Sequence, residues 1–342
     1  MLDFNKNITL AHGAGGKQTA ELIQGLFSNH FKNDYFTSDD AAILPVGKEK
    51  IAFTTDGFIV SPWKFPGGNI GKLSICGTVN DLACMGAQPK YLSCAVQIEE
   101  GFPLKDLQEI VESMEKTAAE VGVKIVAGDT KVAGRGQVDK IFITTTGIGT
   151  LVEGANTSGN RAAAGDAIIV TGDVGRHGCT ILVSRDDFNI EADIKSDCAP
   201  LWNMVDSVFN SLSDKDDLHV VRDATRGGVG TVLYEIAAQS QVGIKLDYSR
   251  IPVNPAVKGV CGMLGLEPLY LACEGRLVIF APKKVASTIV DTLKQTKYGK
   301  DAAIIGEVTS DDSYKGKVVM TTEIGTLSML PAPSGELLPR IC

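Results

Sequence analysis

Acidic residues recur near the ends of the predicted strands, and this placement is typical of a site for a divalent cation. Carboxylate oxygens are the ligands that Mg²⁺ prefers, and bound Mg²⁺ would attract nucleotide phosphates that an acidic cleft repels. One of these residues, Asp81, lies in an otherwise apolar predicted helix, where an unpaired carboxylate is costly. A single aspartate is more often a turn residue or a helix cap, so the prediction depends on the whole set. The set is Asp39, Asp40, Asp56, Asp81, Asp129 and Asp223.

Two glycine-rich segments are candidates for phosphate binding, HGAGGK at 12–17 and DATRGGVG at 223–230. Neither matches the P-loop or the dinucleotide fingerprint. Glycines allow backbone N–H groups to approach a phosphate closely, and Lys17 adds a positive charge. The second segment precedes an apolar helix, whose N-terminus attracts anions. Combined with the aspartates, the two loops predict an ATP cleft.

A third chemical feature is the thiol of Cys342, the last residue of the sequence. It follows a stretch that contains Pro331, Pro333 and Pro339, and twelve extended residues span at most about 40 Å. Residues 331–342 are therefore predicted to form a flexible tail that carries sulfur chemistry between sites. The alternative is a frayed terminus that happens to end in cysteine.

The other cysteines show no metal-binding spacing. None belongs to a CxxC pair, so a structural zinc site is not expected. Five of them adjoin apolar residues and are predicted to be small core side chains. These five are Cys84, Cys94, Cys179, Cys261 and Cys273.

Composition places the chain among ordinary globular proteins. It has 342 residues, of which 44% are hydrophobic and 22% are charged, and this length favours two domains. No stretch approaches the roughly 20 apolar residues of a membrane span. A net charge of −8 argues against a nucleic-acid partner. The N-terminus lacks the pattern of a secretory signal, so a reduced cytoplasm is the expected location.

Helices and strands do not alternate strictly along the chain, which favours an α+β architecture. The clearest helix covers 103–121, where apolar residues recur every three or four positions between Pro103 and Gly122. The glycine- and serine-rich segment 154–166 is the best candidate for a domain boundary. Other helices are predicted at 17–31, 71–86, 199–212, 228–240, 255–264 and 283–297. Strands are predicted at 41–46, 51–55, 91–98, 123–127, 138–148, 167–171, 218–221, 244–246, 276–280 and 302–308.

Together these segments resemble the HypE family of hydrogenase maturation factors, in the superfamily of AIR synthetase, selenophosphate synthetase and thiamine-phosphate kinase. The resemblance covers nearly the whole chain, and the PGG segment at 66–68 and the PRIC ending at 339–342 are typical of the HypE branch. The matching segments are HGAGGK at 12–17, DDAA at 39–42, TTDGFIVSPWKFPGG at 54–68, GKLSICGTVNDLACMGA at 71–87, GDTKV at 128–132, RDATRGGV at 222–229 and CEGRL at 273–277.

The resemblance implies two α/β domains, with an N-terminal sheet that forms a barrel in a homodimer. The implied organisation is a glycine-rich loop and helix at 1–35, an ATP-binding and dimerisation domain at 36–153, a C-terminal α/β sandwich at 154–330, and the tail at 331–342. ATP and Mg²⁺ would lie between the domains. By similarity, the metal would be held by Asp40, Asp56, Asp81, Asp129 and Asp223, and the nucleotide by Gly13, Gly15, Gly16, Lys17, Asp39, Asp40, Asn80, Asp81, Gly128 and Asp129.

The resemblance also implies an activity on the chain itself. In the HypE family the terminal cysteine receives a carbamoyl group from the carbamoyltransferase HypF. ATP-dependent dehydration turns this thiocarbamate into a thiocyanate, and the cyano group passes to iron on a HypC–HypD assembly for the Fe(CN)₂CO centre of nickel–iron hydrogenases. Cys342 would be the residue that carries the substrate.

The dehydration requires a base near the carboxamide nitrogen, and Glu274 is the predicted base, assisted by Lys131. Both match HypE positions, and both adjoin apolar runs that would perturb a charge. The alternative is an ordinary salt bridge, even one between these two residues. His177 is interpreted as a satisfied histidine at a loop or helix start.

Two other functions compete with the dehydratase. The first is an ATP-dependent enzyme of the same superfamily that acts on a free small molecule, although this leaves the PRIC ending without a purpose. The second is a carrier that is not an enzyme and whose tail only transports a carbamoyl or cyano group.

Overall fold

Two mixed sheets with packed helices make up an α+β fold, which confirms the predicted fold class. The structure, a computed structural model, describes residues 7–13, 16–31, 33–47, 49–185, 190–322, 325–332 and 341–342. Among these residues, none of the helices combines the length and the apolar content that a membrane crossing requires.

The first half of the chain forms a five-stranded sheet of order β1-β2-β7-β5-β6, with β5 and β6 parallel and the other pairs antiparallel. A short π-helical segment, Ile23–Phe27, joins the first two helices into one continuous helical stretch. The helices are α1 Lys17–Leu22, α2 Ser28–Phe31, α3 Ile70–Cys84 and α4 Leu104–Val121, and the strands are β1 Ala42–Val46, β2 Glu49–Phe58, β3 Lys64–Phe65, β4 Gly68–Asn69, β5 Ala87–Glu99, β6 Lys124–Ala133 and β7 Ile141–Leu151.

The second half forms a seven-stranded sheet of order β14-β13-β10-β12-β8-β11-β9. Helix α5 and strands β13 and β14 were absent from the prediction, whereas the other long elements lie where it placed them. The strands are β8 Asp166–Val170, β9 Val220–Asp223, β10 Gly243–Asp247, β11 Leu277–Pro282, β12 Ala303–Thr309, β13 Val318–Thr321 and β14 Leu327–Met329, and the helices are α5 Arg176–Ser184, α6 Trp202–Ser211, α7 Gly228–Gln239, α8 Pro255–Leu264 and α9 Lys283–Lys294.

Helix α3 is the buried centre of the molecule. Asn69 caps its N-terminus, because the Asn69 Oδ1 atom accepts a hydrogen bond of 3.0 Å from the Lys72 backbone N–H. Its side chains are apolar on nearly every face, since the first sheet packs on one side and helix α6 and strand β9 pack on another. One continuous hydrophobic core therefore runs from Phe58 of the first sheet to Phe209 of α6 and reaches Ile341.

Gly71 in α3 allows the close packing of this helix against α4. A Cβ atom added at Gly71 would lie 2.3 Å from the Ile110 carbonyl oxygen, and backbone atoms cannot move aside easily. Gly71→Ala should destabilise the protein by about 1–3 kcal/mol, because the two helices must separate. The measurement is the midpoint of urea unfolding, followed by circular dichroism.

Gly259 in α8 provides the matched control. It is exposed, and an added Cβ atom there would have no heavy atom within 4 Å. Gly259→Ala should stabilise the protein by about 0.4–1 kcal/mol through its effect on the unfolded chain. Equal midpoints for the two variants would contradict this account of how α3 and α4 pack.

Candidate functional site

Four of the predicted aspartates lie close to one another beside α3. The single hydroxyl proton of Thr54 on β2 is shared between the Asp81 Oδ2 atom, 2.8 Å away, and the Asp40 carbonyl oxygen, 3.1 Å away. Asp40 and Asp223 each place a carboxylate oxygen within 4.8 Å of the other. Asp56 is close enough that its charge raises the pKa of Asp81. The segment before β1, strand β2, helix α3 and the end of β9 therefore bring together residues that are up to 183 positions apart in the chain.

Arg222 supplies positive charge to this carboxylate cluster. Its Nε atom lies 3.0 Å from Asp40 Oδ1, and its Nη2 atom lies 3.2 Å from Glu235 Oε2. Burial raises the pKa of Asp40 to about 6 despite the opposing effect of Arg222. Burial and the neighbouring carboxylates also raise the pKa of Asp81 and of Asp223 well above the usual range.

The carboxylate cluster fits a divalent cation. The Asp40 Oδ2 atom is buried and has no hydrogen-bond partner among the described residues, so it retains free lone pairs. Each carboxylate that ionises here adds a negative charge in a place shielded from water. A hard cation with oxygen ligands would satisfy both the orphaned oxygen and the excess charge.

Glu274 is held beside this cluster by the segment before β11. The Cys273 N–H donates a hydrogen bond of 2.9 Å to the Ala224 carbonyl oxygen, and the Glu274 N–H donates one of 3.2 Å to Asp197 Oδ1. The Glu274 side chain is only 2% exposed, and its Oε1 atom has no hydrogen-bond partner among the described residues. Burial, followed by the charges of neighbours that include Asp223 and Asp56, raises the pKa of Glu274 well above its usual range.

The thiol of Cys342 lies beside Glu274 and Asp56. Arg226 Nη2 donates to the Cys342 Sγ atom over 2.9 Å, and Ile59 N–H donates to the Cys342 carbonyl oxygen over 3.0 Å. Burial raises the pKa of Cys342 to about 12, and the charges of Glu274 and Asp56 act in the same direction against Arg226. The end of the sequence is therefore docked in the site with a neutral thiol.

His177, at the start of α5, holds the residue before Cys342. Its Nε2 atom lies 2.6 Å from the Ile341 carbonyl oxygen, and its Nδ1 atom lies 2.7 Å from Ser196 Oγ. A carbonyl oxygen can only accept, so Nε2 carries the proton and Nδ1 accepts from the hydroxyl of Ser196. Cys198 N–H in turn donates 3.0 Å to Ser196 Oγ. The four groups form one satisfied chain of hydrogen bonds that grips the tail.

The glycine-rich loop reaches the site through Gly13. Arg226 Nη1 donates 2.6 Å to the Gly13 carbonyl oxygen, so one guanidinium joins this loop to the Cys342 thiol. Gly16 is buried and directly precedes α1. Lys17 is exposed and lies 4.0 Å from Glu21. Gly15 lies outside the described residues.

Asp129, Gly128 and Lys131 do not join the cluster within one chain. They lie on β6, and the strand register places Asp129 three strands away from Gly57, through Ala95 and Thr144. Three strand spacings correspond to about 14 Å. Lys131 Nζ pairs with Asp129 Oδ1 over 3.0 Å on an exposed face, so it does not pair with Glu274. The site roles of these residues remain predictions.

Sequence comparisons identify relatives along the whole chain. The AIR synthase related protein N-terminal domain matches residues 38–151, and the corresponding C-terminal domain matches residues 163–319. The carbamoyl dehydratase HypE of Escherichia coli K12 is 43% identical over 342 residues, which cover 98% of this chain and 99% of that relative.

Solved structures give the same result. A crystal structure of a HypE–HypF complex superposes with a TM-score of 0.86 at 44% identity and covers 91% of this chain and 99% of the other. A crystal structure of HypE in complex with ATP has a TM-score of 0.81 at 44% identity. The match covers 98% of this chain and 100% of the other. The chain belongs to the HypE family.

Two predicted residues of this HypE family member form structural hydrogen bonds. The Asp39 carboxylate accepts a hydrogen bond of 2.7 Å from the Ser158 hydroxyl and one of 3.0 Å from the Gly159 N–H. Asn80 accepts 2.8 Å from Leu201 N–H through its Oδ1 atom, and it is buried. These contacts tie the two halves of the chain together around the carboxylate cluster. Nucleotide contacts by Asp39 and Asn80 remain predictions.

Arg226 is a HypE site residue that reasoning from the sequence missed. His177 was predicted to be a satisfied histidine at a loop or helix start, which the structure confirms, but its contact with the tail was not predicted. Arg226 lies in the DATRGG segment, whose arginine could have been considered as a partner for an acidic cleft. His177 offered no such signal, because its partner Ile341 is 164 positions away.

The hydrogen bond from His177 to the Ile341 carbonyl oxygen should limit how fast the Cys342 thiol is alkylated. His177→Ala leaves the Ile341 carbonyl oxygen without its donor, which costs about 1–3 kcal/mol for a buried group. The docked fraction of the tail should fall, and alkylation of Cys342 by iodoacetamide should become about tenfold faster or more. Peptide mass spectrometry measures the labelling of Cys342 against time.

His219→Ala is the control for a histidine with a different partner. The His219 Nδ1 atom lies 2.8 Å from Asp166 Oδ2. Its removal should leave the alkylation rate of Cys342 unchanged. An unchanged rate in His177→Ala as well would show that His177 does not hold the tail.

Proposed function

We propose that this HypE family member catalyses the ATP-dependent dehydration of an S-carbamoyl group on its own Cys342 to a thiocyanate. The product supplies cyanide ligands for the Fe(CN)₂CO centre of nickel–iron hydrogenases. The observation that carries the proposal is the docking of the Cys342 thiol, 2.9 Å from Arg226, beside buried Glu274 and the carboxylate cluster.

The overall reaction is balanced without added water. The thiocarbamate R–S–C(=O)–NH₂ and ATP yield R–S–C≡N, ADP, phosphate and a proton. Bound ATP with Mg²⁺ supplies the phosphoryl group that turns the carboxamide oxygen into a good leaving group. The chain must hold the carbamoyl group, orient its oxygen, exclude water and remove protons from its nitrogen.

The carboxylate cluster is proposed to hold Mg²⁺ through Asp40, Asp56, Asp81 and Asp223. The orphaned Asp40 Oδ2 atom and the buried carboxylate of Asp223 support this assignment. The glycine loop at 12–17 would hold the nucleotide, because its Gly13 carbonyl oxygen is bonded to the same arginine as Cys342. The related HypE protein was crystallised with ATP, which supports ATP as the nucleotide.

Glu274 is the proposed base. Its Oε1 atom has no partner among the described residues and can therefore accept an N–H of a carbamoyl group on the neighbouring thiol. Its raised pKa makes the ionised Glu274 carboxylate a stronger base than an exposed glutamate. Arg226 would orient the carbamoyl group, since its guanidinium already donates to the sulfur.

A second copy of the chain is the proposed source of the missing residues Asp129 and Lys131. The edge strand β6 is exposed along almost its whole length, including Val126 at 61% and Val132 at 70%. Val111 of α4, 54% exposed, borders the same face. A homodimer that pairs along this edge would bury these apolar side chains and form the barrel implied by the resemblance. Lys131 would then assist Glu274 in the partner subunit.

Three further proposals concern partners and location. HypF is the proposed carbamoyl donor, because a related HypE was crystallised in complex with HypF. A HypC–HypD assembly is the proposed acceptor of cyanide, by the family resemblance. A reducing cytoplasm is the proposed location, in accord with eight free cysteines.

Removal of the base should separate nucleotide binding from conversion. Glu274→Gln is expected to bind ATP but to leave the tail as a carbamoyl adduct, as measured by calorimetry and intact-mass spectrometry. In the wild type the conversion rate should rise with pH, because the raised pKa keeps Glu274 protonated at lower pH and a base must be ionised.

Glu267→Gln is the control, because Glu267 is another carboxylate with a pKa raised by burial but caps the turn at Leu269 instead. This variant should convert the tail normally. Full cyanation by Glu274→Gln would remove Glu274 from its proposed role.

Mixing two inactive variants tests the shared site. In a heterodimer of Glu274→Gln with Lys131→Ala, one of the two sites has both Glu274 and a partner Lys131. After subunit exchange the mixture should recover about one quarter of wild-type conversion, since half of the dimers carry one complete site. No recovery, with dimers present by light scattering, would place Lys131 in its own chain's site, and full conversion by Lys131→Ala alone would place it outside catalysis.

A further inference from the structure

Cys84 places a thiol among the metal-binding carboxylates. Its Sγ atom and one carboxylate oxygen each of Asp40 and Asp223 lie within 4.8 Å of one another. The side chain of Cys84 is fully buried, and Asp223 is only 8% exposed. Cys84 follows Asp81 by three positions on α3, so both side chains lie on one face of the helix. The sequence had indicated only a small core residue here.

The buried Oδ2 atom of Asp40, which supports a cation in the carboxylate cluster, belongs to a residue in the same group of ligands as Cys84. The Asp40 side chain is 9% exposed, and its Oδ1 atom is occupied by Arg222 at 3.0 Å. Its Oδ2 atom is buried without a hydrogen-bond partner among the described residues. A buried carboxylate oxygen without a partner is costly, and a bound cation would satisfy it.

The donor set favours a different cation from the one that ATP requires. Mg²⁺ is bound by oxygen ligands, and a thiolate is a poor ligand for it. Zn²⁺, Co²⁺ and Cd²⁺ combine thiolate with carboxylate ligands readily. The thiol of Cys84 thus adds a sulfur ligand beside the oxygen ligands that Mg²⁺ would use.

We propose that Cys84, Asp40 and Asp223 form a site for a thiophilic divalent cation of the zinc class, which displaces Mg²⁺ from the carboxylate cluster when it binds. On binding, the Cys84 S–H bond breaks, a metal–sulfur bond forms, and the proton leaves to solvent without any change of oxidation state. The site would make conversion of the tail sensitive to zinc. The inhibition, but not the metal binding, rests on the function proposed above.

Titration of the full-length, metal-free protein with Cd²⁺ tests the site directly. Thiolate–cadmium charge transfer absorbs in the ultraviolet, and one saturable band per chain is expected. Cys84→Ser and Cys84→Val should each lose the band, and the apolar Cys84→Val preserves the packing if the serine variant folds poorly. Asp40→Asn should weaken Cd²⁺ binding by at least about tenfold.

Two other cysteines provide matched controls. Cys342→Ser removes the second thiol of the site region, and Cys179→Ser removes a thiol that is equally buried but interacts with Cys261. Both variants should keep the band. A band that persists in folded Cys84→Val, or that disappears with Cys342→Ser, would overturn the proposal.

Inhibition by Zn²⁺ distinguishes this inference from the proposed function. Wild-type conversion at saturating Mg²⁺ and ATP should require at least about tenfold less Zn²⁺ for half-inhibition than conversion by Cys84→Val. Equal sensitivity would overturn the displacement of Mg²⁺ from the site. If Cd²⁺ binds through Cys84 but no variant or wild type converts the tail, the proposed function fails while the metal site stands.

Discussion

The accumulation of buried carboxylates around α3 is the constraint on which the rest of the structure depends. Asp40, Asp81 and Asp223 share a place with little access to water, and Arg222 is the guanidinium that pairs with Asp40 there. Buried charges of one sign destabilise a protein unless protons, cations or hydrogen bonds compensate them. The raised pKa values indicate that Arg222 compensates these charges only in part and that protons supply the rest. A nucleotide with its metal would replace those protons, which links folding stability to ligand binding.

The negative charges of the site also determine whether the Cys342 sulfur is present as a thiol or as a thiolate. A thiolate at Cys342 would be repelled by Glu274 and Asp56, and the pKa of about 12 shows that the docked thiol stays neutral. A carbamoyl group is also neutral, so a capped sulfur enters the site without that repulsion. The docked thiol is accordingly a poor nucleophile, so under the proposed function its carbamoylation would take place on an undocked tail in the active site of another protein. Arg226 contacts the Cys342 sulfur, whereas His177 contacts the Ile341 backbone. The group on the sulfur can therefore change while the backbone stays bound.

Much of this arrangement could be predicted from the sequence, and the rest depends on contacts distant in the chain. Helix α4 was predicted from the regular spacing of its apolar residues, although two of them, Leu104 and Val111, are exposed. Helix α3 was predicted from a long apolar run. The motifs identified the aspartates but not which of them meet, because the strand order separates Asp129 from Asp56. Helix α5 was missed because its glycine and charged residues obscure the periodicity. The partners of His177 could not be predicted, since Ser196 and Ile341 become its neighbours only in the folded chain.

The central claim is that the protein and its reactant are one molecule, with Cys342 delivered into the site of its own assembly. The most direct test is a single-turnover reaction of purified, pre-carbamoylated protein with ATP and Mg²⁺, followed by intact mass over a wide range of protein concentration. The account predicts the loss of one water from the carbamoyl adduct at a first-order rate that does not change with dilution, as long as the assembly persists. A rate proportional to protein concentration, or no loss of water, would contradict it.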